Sequence, residues 1–160
     1  MAKSQPLAVG AAAPDFRLPA STGGEIGLAD YRGRQVVVLY FYPKDMTPGC
    51  TAEACSFRDL KKEIAAAGAV ILGVSPDPLE SHAKFTEKEH LNFPLLYDEG
   101  GRIATQYGAY GEKTHMGRTY TGNFRVTYLL DKAGKIARVW PEVAVSGHAD
   151  EILGAIKELG

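Results

Sequence analysis

Cysteine is scarce in this chain. There are two in 160 residues, Cys50 and Cys55, five positions apart. That excludes a disulfide scaffold of the kind small secreted domains depend on. Charge of one sign is also lacking, with 18 Lys and Arg against 19 Asp and Glu and a net charge of −1. Nothing in that balance draws the chain to nucleic acid or to an anionic membrane surface. Long hydrophobic runs are missing. The apolar run Val36–Phe41 is far too short to cross a bilayer, which takes about 20 residues. The opening run Met1-Ala2-Lys3-Ser4-Gln5-Pro6 has no apolar core of a secretory signal and no Arg-rich transit character. No glycine run has the strand–GxxxxGK–helix context of a phosphate loop, and GxGxxG does not occur. Two cysteines so close, in a chain with no secretory signal, point to catalysis or redox sensing in a cytoplasmic setting. They do not suffice for a structural zinc site.

What is present is the makeup of an ordinary soluble globular protein, 45% hydrophobic and 23% charged. The length suits one domain, residues 1–160, with one well-covered core. The early segment Ala13–Pro19 reads as extended, and Ser21-Thr22-Gly23-Gly24 reads as the turn of a small hairpin. Val36–Phe41 is apolar at every position and β-rich, as a strand buried on both faces is. A helix is expected from about Thr51 to Ala67, with Phe57, Leu60, Ile64 and Ala67 on one stripe and Gly68 as its stop. Val70–Val74 is a second buried strand and Leu79–Glu89 a polar helix. Leu95–Tyr97 is a short strand and Arg102–Tyr107 a short helix. Arg125–Leu130 and Ile136–Trp140 are strands joined by a tight turn, and Asp150–Leu159 is a closing helix. Residues 108–124 show no clear pattern and read as a loop or a surface excursion. The four histidines, His82, His90, His115 and His148, lie in polar stretches and read as surface residues. The β-α-β order implies parallel pairing and the late hairpin an antiparallel edge. The expected fold class is therefore α/β: a central mixed β-sheet flanked by helices, preceded by an N-terminal β-hairpin extension.

Both cysteines sit where the first buried strand gives way to the first helix. A helix N-terminus favours an anion, and the thiolate is the reactive form of cysteine. If the helix starts near Pro48, Cys50 falls in its first turn, about 20° from Phe57 and so toward the core. Cys55 falls about 140° away from Cys50, on the more exposed side. Five helical residues separate Cα atoms by roughly 8–9 Å, and a disulfide needs about 7 Å or less. Either the two thiols never join, or the first turns of the helix unwind in a working cycle.

Ionisation alone explains little. A thiol of ordinary pKa is a few per cent ionised at pH 7, so full ionisation gains roughly thirtyfold, or about 2 kcal/mol. A fast cysteine enzyme also needs groups that orient substrate and stabilise the transition state. Thr47 can present a hydroxyl and a backbone N–H beside the sulfur, and Pro43 can shield it from water. Arg125 and Arg58 are the candidate positive partners. Lys44 and Arg58 read first as solvated charges.

The spacing Pro43-x-x-x-Thr47-x-x-Cys50 resembles the active-site signature of peroxiredoxins. The longer run from Tyr42 through Cys55 to Asp59 resembles the bacterioferritin-comigratory-protein, or peroxiredoxin Q, subgroup. Ala13–Phe16, Gly73-Val74-Ser75 and Gly122-x-x-Arg125-x-Thr127-Tyr128-Leu129-Leu130-Asp131 extend the likeness over roughly residues 7–159. The resemblance implies a thioredoxin-like fold and a peroxidase without cofactor or metal. It implies Cys50 as the peroxidatic thiol, which becomes a sulfenic acid on reaction with peroxide. It implies Thr47 as the hydroxyl that bonds peroxide and thiolate, and Pro43 as the shield. Arg125 would hold thiolate and transition state, and Glu53 would orient that arginine. Cys55 would resolve the sulfenic acid as an intramolecular disulfide. Hydrogen peroxide and alkyl hydroperoxides would be the substrates, and thioredoxin or a similar dithiol the reductant. A monomer is the expected assembly. Two other readings compete. A thiol–disulfide oxidoreductase would suit the fold but lacks the usual Cys-x-x-Cys, and a redox sensor would react with peroxide no faster than free cysteine.

Overall fold

In the computed structural model, residues 4–159 are described; Met1, Ala2 and Lys3 of the opening run read above, and Gly160, lie outside them. Two short strands come first, β1 (Arg17–Pro19) and β2 (Glu25–Gly27), paired antiparallel around the expected Ser21–Gly24 turn. Then follow β3 (Val36–Phe41), α1 (Pro48–Ala66), β4 (Ala69–Ser75), α2 (Leu79–Glu89), β5 (Leu95–Tyr97) and α3 (Arg102–Gln106). The chain ends with β6 (Tyr110–His115), β7 (Arg118–Asn123), β8 (Val126–Leu130), β9 (Ile136–Trp140) and α4 (His148–Leu159).

Five strands form one sheet in the order β5-β4-β3-β8-β9. β3 pairs parallel with β4, and β4 parallel with β5; β8 pairs antiparallel with both β3 and β9. This is the mixed sheet expected from the element order. The unbroken apolar run of β3 has a simple cause. Val36, Val38 and Tyr40 face one core, with α1, α4 and Phe85 of α2, while Val37, Leu39 and Phe41 face the other, with α3 and the N-terminal hairpin. A strand covered on both faces has no polar side to show.

The structure departs from the sequence reading in three places. Residues 108–124 hold the β6–β7 hairpin, closed by Met116 and Gly117, both at positive φ. Its side chains are mostly exposed or half-buried. A ladder held by backbone bonds, with no buried face, leaves no apolar alternation to read. Two histidines are buried and not on the surface. His82 is 0% exposed and His148 2%. His148 lies edge-on to Trp140 and Phe57, with Nε2 2.9 Å from Thr127 Oγ1. Burial lowers its pKa, against the opposing pull of Glu151. Finally, α1 begins at Pro48 and α4 at His148, earlier than periodicity alone placed them, and β8 opens one residue after Arg125. Pro48 is favoured in the first helical turn because its missing N–H would have no partner there.

One feature of register positions the site. Val126 of β8 lies opposite Phe41, the last residue of β3. The residue before β8 is therefore brought beside the point where the chain leaves β3 to start α1. That residue is Arg125.

Candidate active site

Thr47 caps α1 with extended backbone, and Cys50 follows in the first turn. Cys50 is 1% exposed and packs in the core cluster that holds Tyr40, Tyr42, Ala54 and Phe57. The wheel position near Phe57 is thus realised. Arg125 reaches in from the start of β8 and places Nη2 3.4 Å from the Cys50 Sγ. Its Nη1 donates to Glu53 Oε1 at 2.6 Å. Gly49 leaves room for that approach, since a Cβ there would lie 3.1 Å from Arg125 Nη2, a tight contact. One positive group therefore bridges thiol and carboxylate.

Glu53 is itself 1% exposed. Its second oxygen, Oε2, accepts no hydrogen bond among the described residues. Burial pushes its carboxyl up to about 7, against the lowering pull of Arg125. Burial opposes the Arg125 charge as well, but Glu53 and Cys50 together outweigh it and the pKa ends raised. The guanidinium is the fixed charge of the site, and the carboxylate is the group whose ionisation follows pH.

Cys55 stands elsewhere on the same helix. It is half-buried, and its thiol donates to Glu89 Oε1 of α2 at 3.6 Å. Its pKa is raised, by burial first and then by Glu89, while the nearby Arg58 charge works the other way. Arg58 donates to the Glu89 carbonyl oxygen at 2.6 Å. Of the two arginines named from the sequence, one serves each thiol. Both cysteines are free, on one continuous helix.

The remaining expected residues frame the entrance. Thr47 Oγ1 donates to the Lys44 carbonyl oxygen at 2.8 Å. The hydroxyl proton is thus engaged by the loop and not by the sulfur, which leaves the oxygen lone pairs as acceptors. Pro43 is half-buried on the same loop. Pro43 and Thr47 line one wall of a cavity of about 480 Å³, with Asp77 and the β6–β7 residues Lys113 and Tyr120 opposite. Sequence reasoning missed that wall, because the hairpin carries no periodic signal. Lys113 donates to the Asn123 carbonyl oxygen at 2.7 Å. Its pKa is lowered, by burial and then by the Arg125 charge, with Cys50 acting in the opposite sense. Among the described residues no three His, Cys, Asp or Glu side chains cluster as a metal site.

The profile of the AhpC/TSA family matches residues 9–139. The chain is 46% identical to the peroxiredoxin Bcp of Escherichia coli strain K12 over 153 residues, covering 96% of this chain and 97% of that one. It belongs to the peroxiredoxins, the thiol peroxidases of the AhpC/TSA family, in the Bcp/peroxiredoxin Q group. The peroxiredoxin Bcp of Bacillus subtilis strain 168 is 44% identical over 153 residues, 96% of this chain and 97% of its own. Among solved structures, the Xanthomonas campestris bacterioferritin comigratory protein superposes with a TM-score of 0.84 at 39% identity, over 90% of this chain and 91% of that one. That structure was described for its alkyl peroxide reduction activity, from trapped intermediate and ligand complexes. The thioredoxin-like fold implied by the sequence resemblance is shared with these structural relatives.

Proposed function

We propose that Cys50 is the peroxidatic thiol of this peroxiredoxin and that Cys55 resolves it within the same chain. The observation that supports this most strongly is the Cys50–Arg125–Glu53 constellation, with donor distances of 3.4 and 2.6 Å. As the Cys50 thiolate attacks the terminal oxygen of a hydroperoxide, an S–O bond forms and the O–O bond breaks. Cys50 becomes a sulfenic acid, and the peroxide leaves as water or an alcohol once its oxygen is protonated. Negative charge moves from sulfur toward the departing oxygen. Arg125 is held in place by Glu53, so its N–H groups meet that charge without reorganising. Thr47 Oγ1, with its own proton on Lys44, accepts a hydrogen bond from the incoming O–H and aligns the peroxide. Pro43 and the aromatic core around Cys50 keep water from the sulfur.

Resolution has its own chemistry. The Cys55 sulfur attacks the sulfenic acid sulfur, a disulfide forms and water leaves. One α-helix cannot bring residues five apart within disulfide reach, so the first turns of α1 open for this step. Alkyl hydroperoxides are proposed as substrates beside hydrogen peroxide, in line with the alkyl peroxide reduction activity described for the Xanthomonas relative, with the cavity beside Pro43 and Thr47 taking the organic part. A thioredoxin-like dithiol is proposed to reopen the disulfide, and the protein is proposed to work as a cytoplasmic monomer.

Peroxide consumption with a thioredoxin system tests the assignment. Cys50→Ser should abolish turnover, and Cys55→Ser should permit one oxidation per chain and then stop. Retained turnover in Cys50→Ser would end the proposal.

A further inference from the structure

The loop between β3 and α1 is strained and is held by a buried polar cluster outside the Cys50–Arg125–Glu53 group. Met46 adopts φ 62, a left-handed conformation that residues with a Cβ rarely adopt. The residue before it, Asp45, is 4% exposed although it is an aspartate on a loop. Its Oδ1 accepts from Tyr42 Oη at 2.6 Å, and its Oδ2 from Ser81 Oγ at 2.8 Å. His82 Nδ1 lies 2.7 Å from the same Oδ2, and His82 Nε2 lies 3.0 Å from the Leu96 carbonyl oxygen. The Asp45 N–H donates to Asp77 Oδ2 at 2.9 Å, and Ser75 Oγ donates to that oxygen at 2.6 Å.

A carbonyl oxygen can only accept, so the contact to Leu96 is made by an Nε2 that carries hydrogen. Nδ1 then faces the Asp45 carboxyl directly. Both side chains are almost fully buried and both have their hydrogen-bonding capacity met, the condition under which a buried polar pair fixes one geometry. Ser81 and His82 sit near the start of α2. The same helix carries Phe85 against Tyr42 and, at its end, Glu89 against Cys55. α2 therefore grips the redox segment on both sides of Cys50.

We propose that the Asp45–His82 pair is a positioning latch: it fastens the Pro43–Thr47 loop to α2 for attack on peroxide, and its release accompanies the unwinding that lets Cys50 reach Cys55. This rests on the roles proposed above for the two thiols. Neither Asp45 nor His82 touches the sulfur. They act through the loop that sets Thr47 and Pro43, and through the strained Met46 step that would otherwise relax.

Stopped-flow fluorescence of the reduced protein with hydrogen peroxide separates the two chemical steps, a phase proportional to peroxide and a later phase independent of it. Asp45→Ala and His82→Leu are each expected to slow the first phase tenfold or more and to speed the second. Each also strands a buried polar partner and lowers thermal stability. The double variant removes the mismatch within the pair but still leaves Tyr42 Oη, Ser81 Oγ and the Leu96 carbonyl oxygen without their partners. It is expected to lose less stability than the two single variants added together, while keeping the slow first phase. His82→Asn, which keeps a donor toward Asp45, is expected to fold and to restore the first phase to within a few-fold of the parent. If a single variant does not fold, the double variant and His82→Asn carry the test. A wild-type first phase in any folded variant lacking the pair overturns the latch, as does a double variant that regains both stability and rate. Failure of the thiol assignment reads differently: Cys50→Ser would still turn over.

Discussion

Cys50 and Cys55 share one helix, and their surroundings differ in kind. Cys50 is closed in by aromatic side chains and met by a guanidinium from a distant strand. Cys55 is half-buried; burial raises its pKa, and a carboxylate from α2 that accepts its proton adds to the rise. The difference lies in what each turn of α1 faces. The first turn faces the end of β3, where the antiparallel register of β8 delivers Arg125. The turn carrying Cys55 faces the C-terminal end of α2, where Glu89 and Arg58 meet. On the roles proposed here, one thiol is placed to react, and the other to remain a thiol until the helix opens.

Substitutions around the two thiols should separate their chemistries. Arg125→Ala should have the largest effect. It removes the donor at the sulfur and leaves Glu53 buried without a partner. Loss of one such donor costs about 10²–10³-fold, and the second-order rate of Cys50 oxidation should fall by that order, with the Cys55 step much less affected. Arg125→Lys should recover only part of it, since an ammonium cannot serve Cys50 and Glu53 with two fixed N–H groups.

Glu53→Gln should cost less, about tenfold in the same rate, because the guanidinium remains but loses its charged anchor. Its signature is in stability. A carboxyl raised to about 7 on folding favours the folded state below its unfolded pKa, and that advantage is lost as pH rises through about 7. Denaturant unfolding at pH 5 and pH 8 should show this decline in the parent protein. The decline should be absent in Glu53→Gln.

Glu89→Gln is the smallest change. It takes away a group that raises the Cys55 thiol, so the peroxide-independent phase near pH 7 should quicken a few-fold while Cys50 oxidation stays the same. A slower second phase would mean that Glu89 takes the Cys55 proton instead of withholding it.

The two cysteines and their surroundings also differ in how much of each is legible in the sequence. The strands of the main sheet were legible because burial on both faces leaves continuous apolar runs, as in Val36–Phe41. Cys50, Thr47 and Pro43 were legible from spacing, and the burial of Cys50 from its angle to Phe57. Arg125 and Glu53 lie 72 positions apart, and no periodicity joins them. Only the family resemblance paired them, and the β3–β8 register is the physical reason they meet. The β6–β7 hairpin was illegible because it buries no face. His82 reads as a surface residue, though it is buried, for a different reason. The spacing of His82 and Phe85 on α2 is that of one helical face, but a histidine in a polar stretch does not advertise burial. The loop aspartate that satisfies it is 37 positions away.

The measurement that bears most directly on the central claim is a thiol count on reduced protein mixed with one equivalent of hydrogen peroxide, taken alongside the stopped-flow trace. Oxidation orders of magnitude faster than that of free cysteine, with both thiols lost per peroxide and an intrachain Cys50–Cys55 bond found by mass spectrometry, is the predicted result. Oxidation at the rate of free cysteine, or loss of Cys50 with Cys55 still titrating as a free thiol, would contradict it.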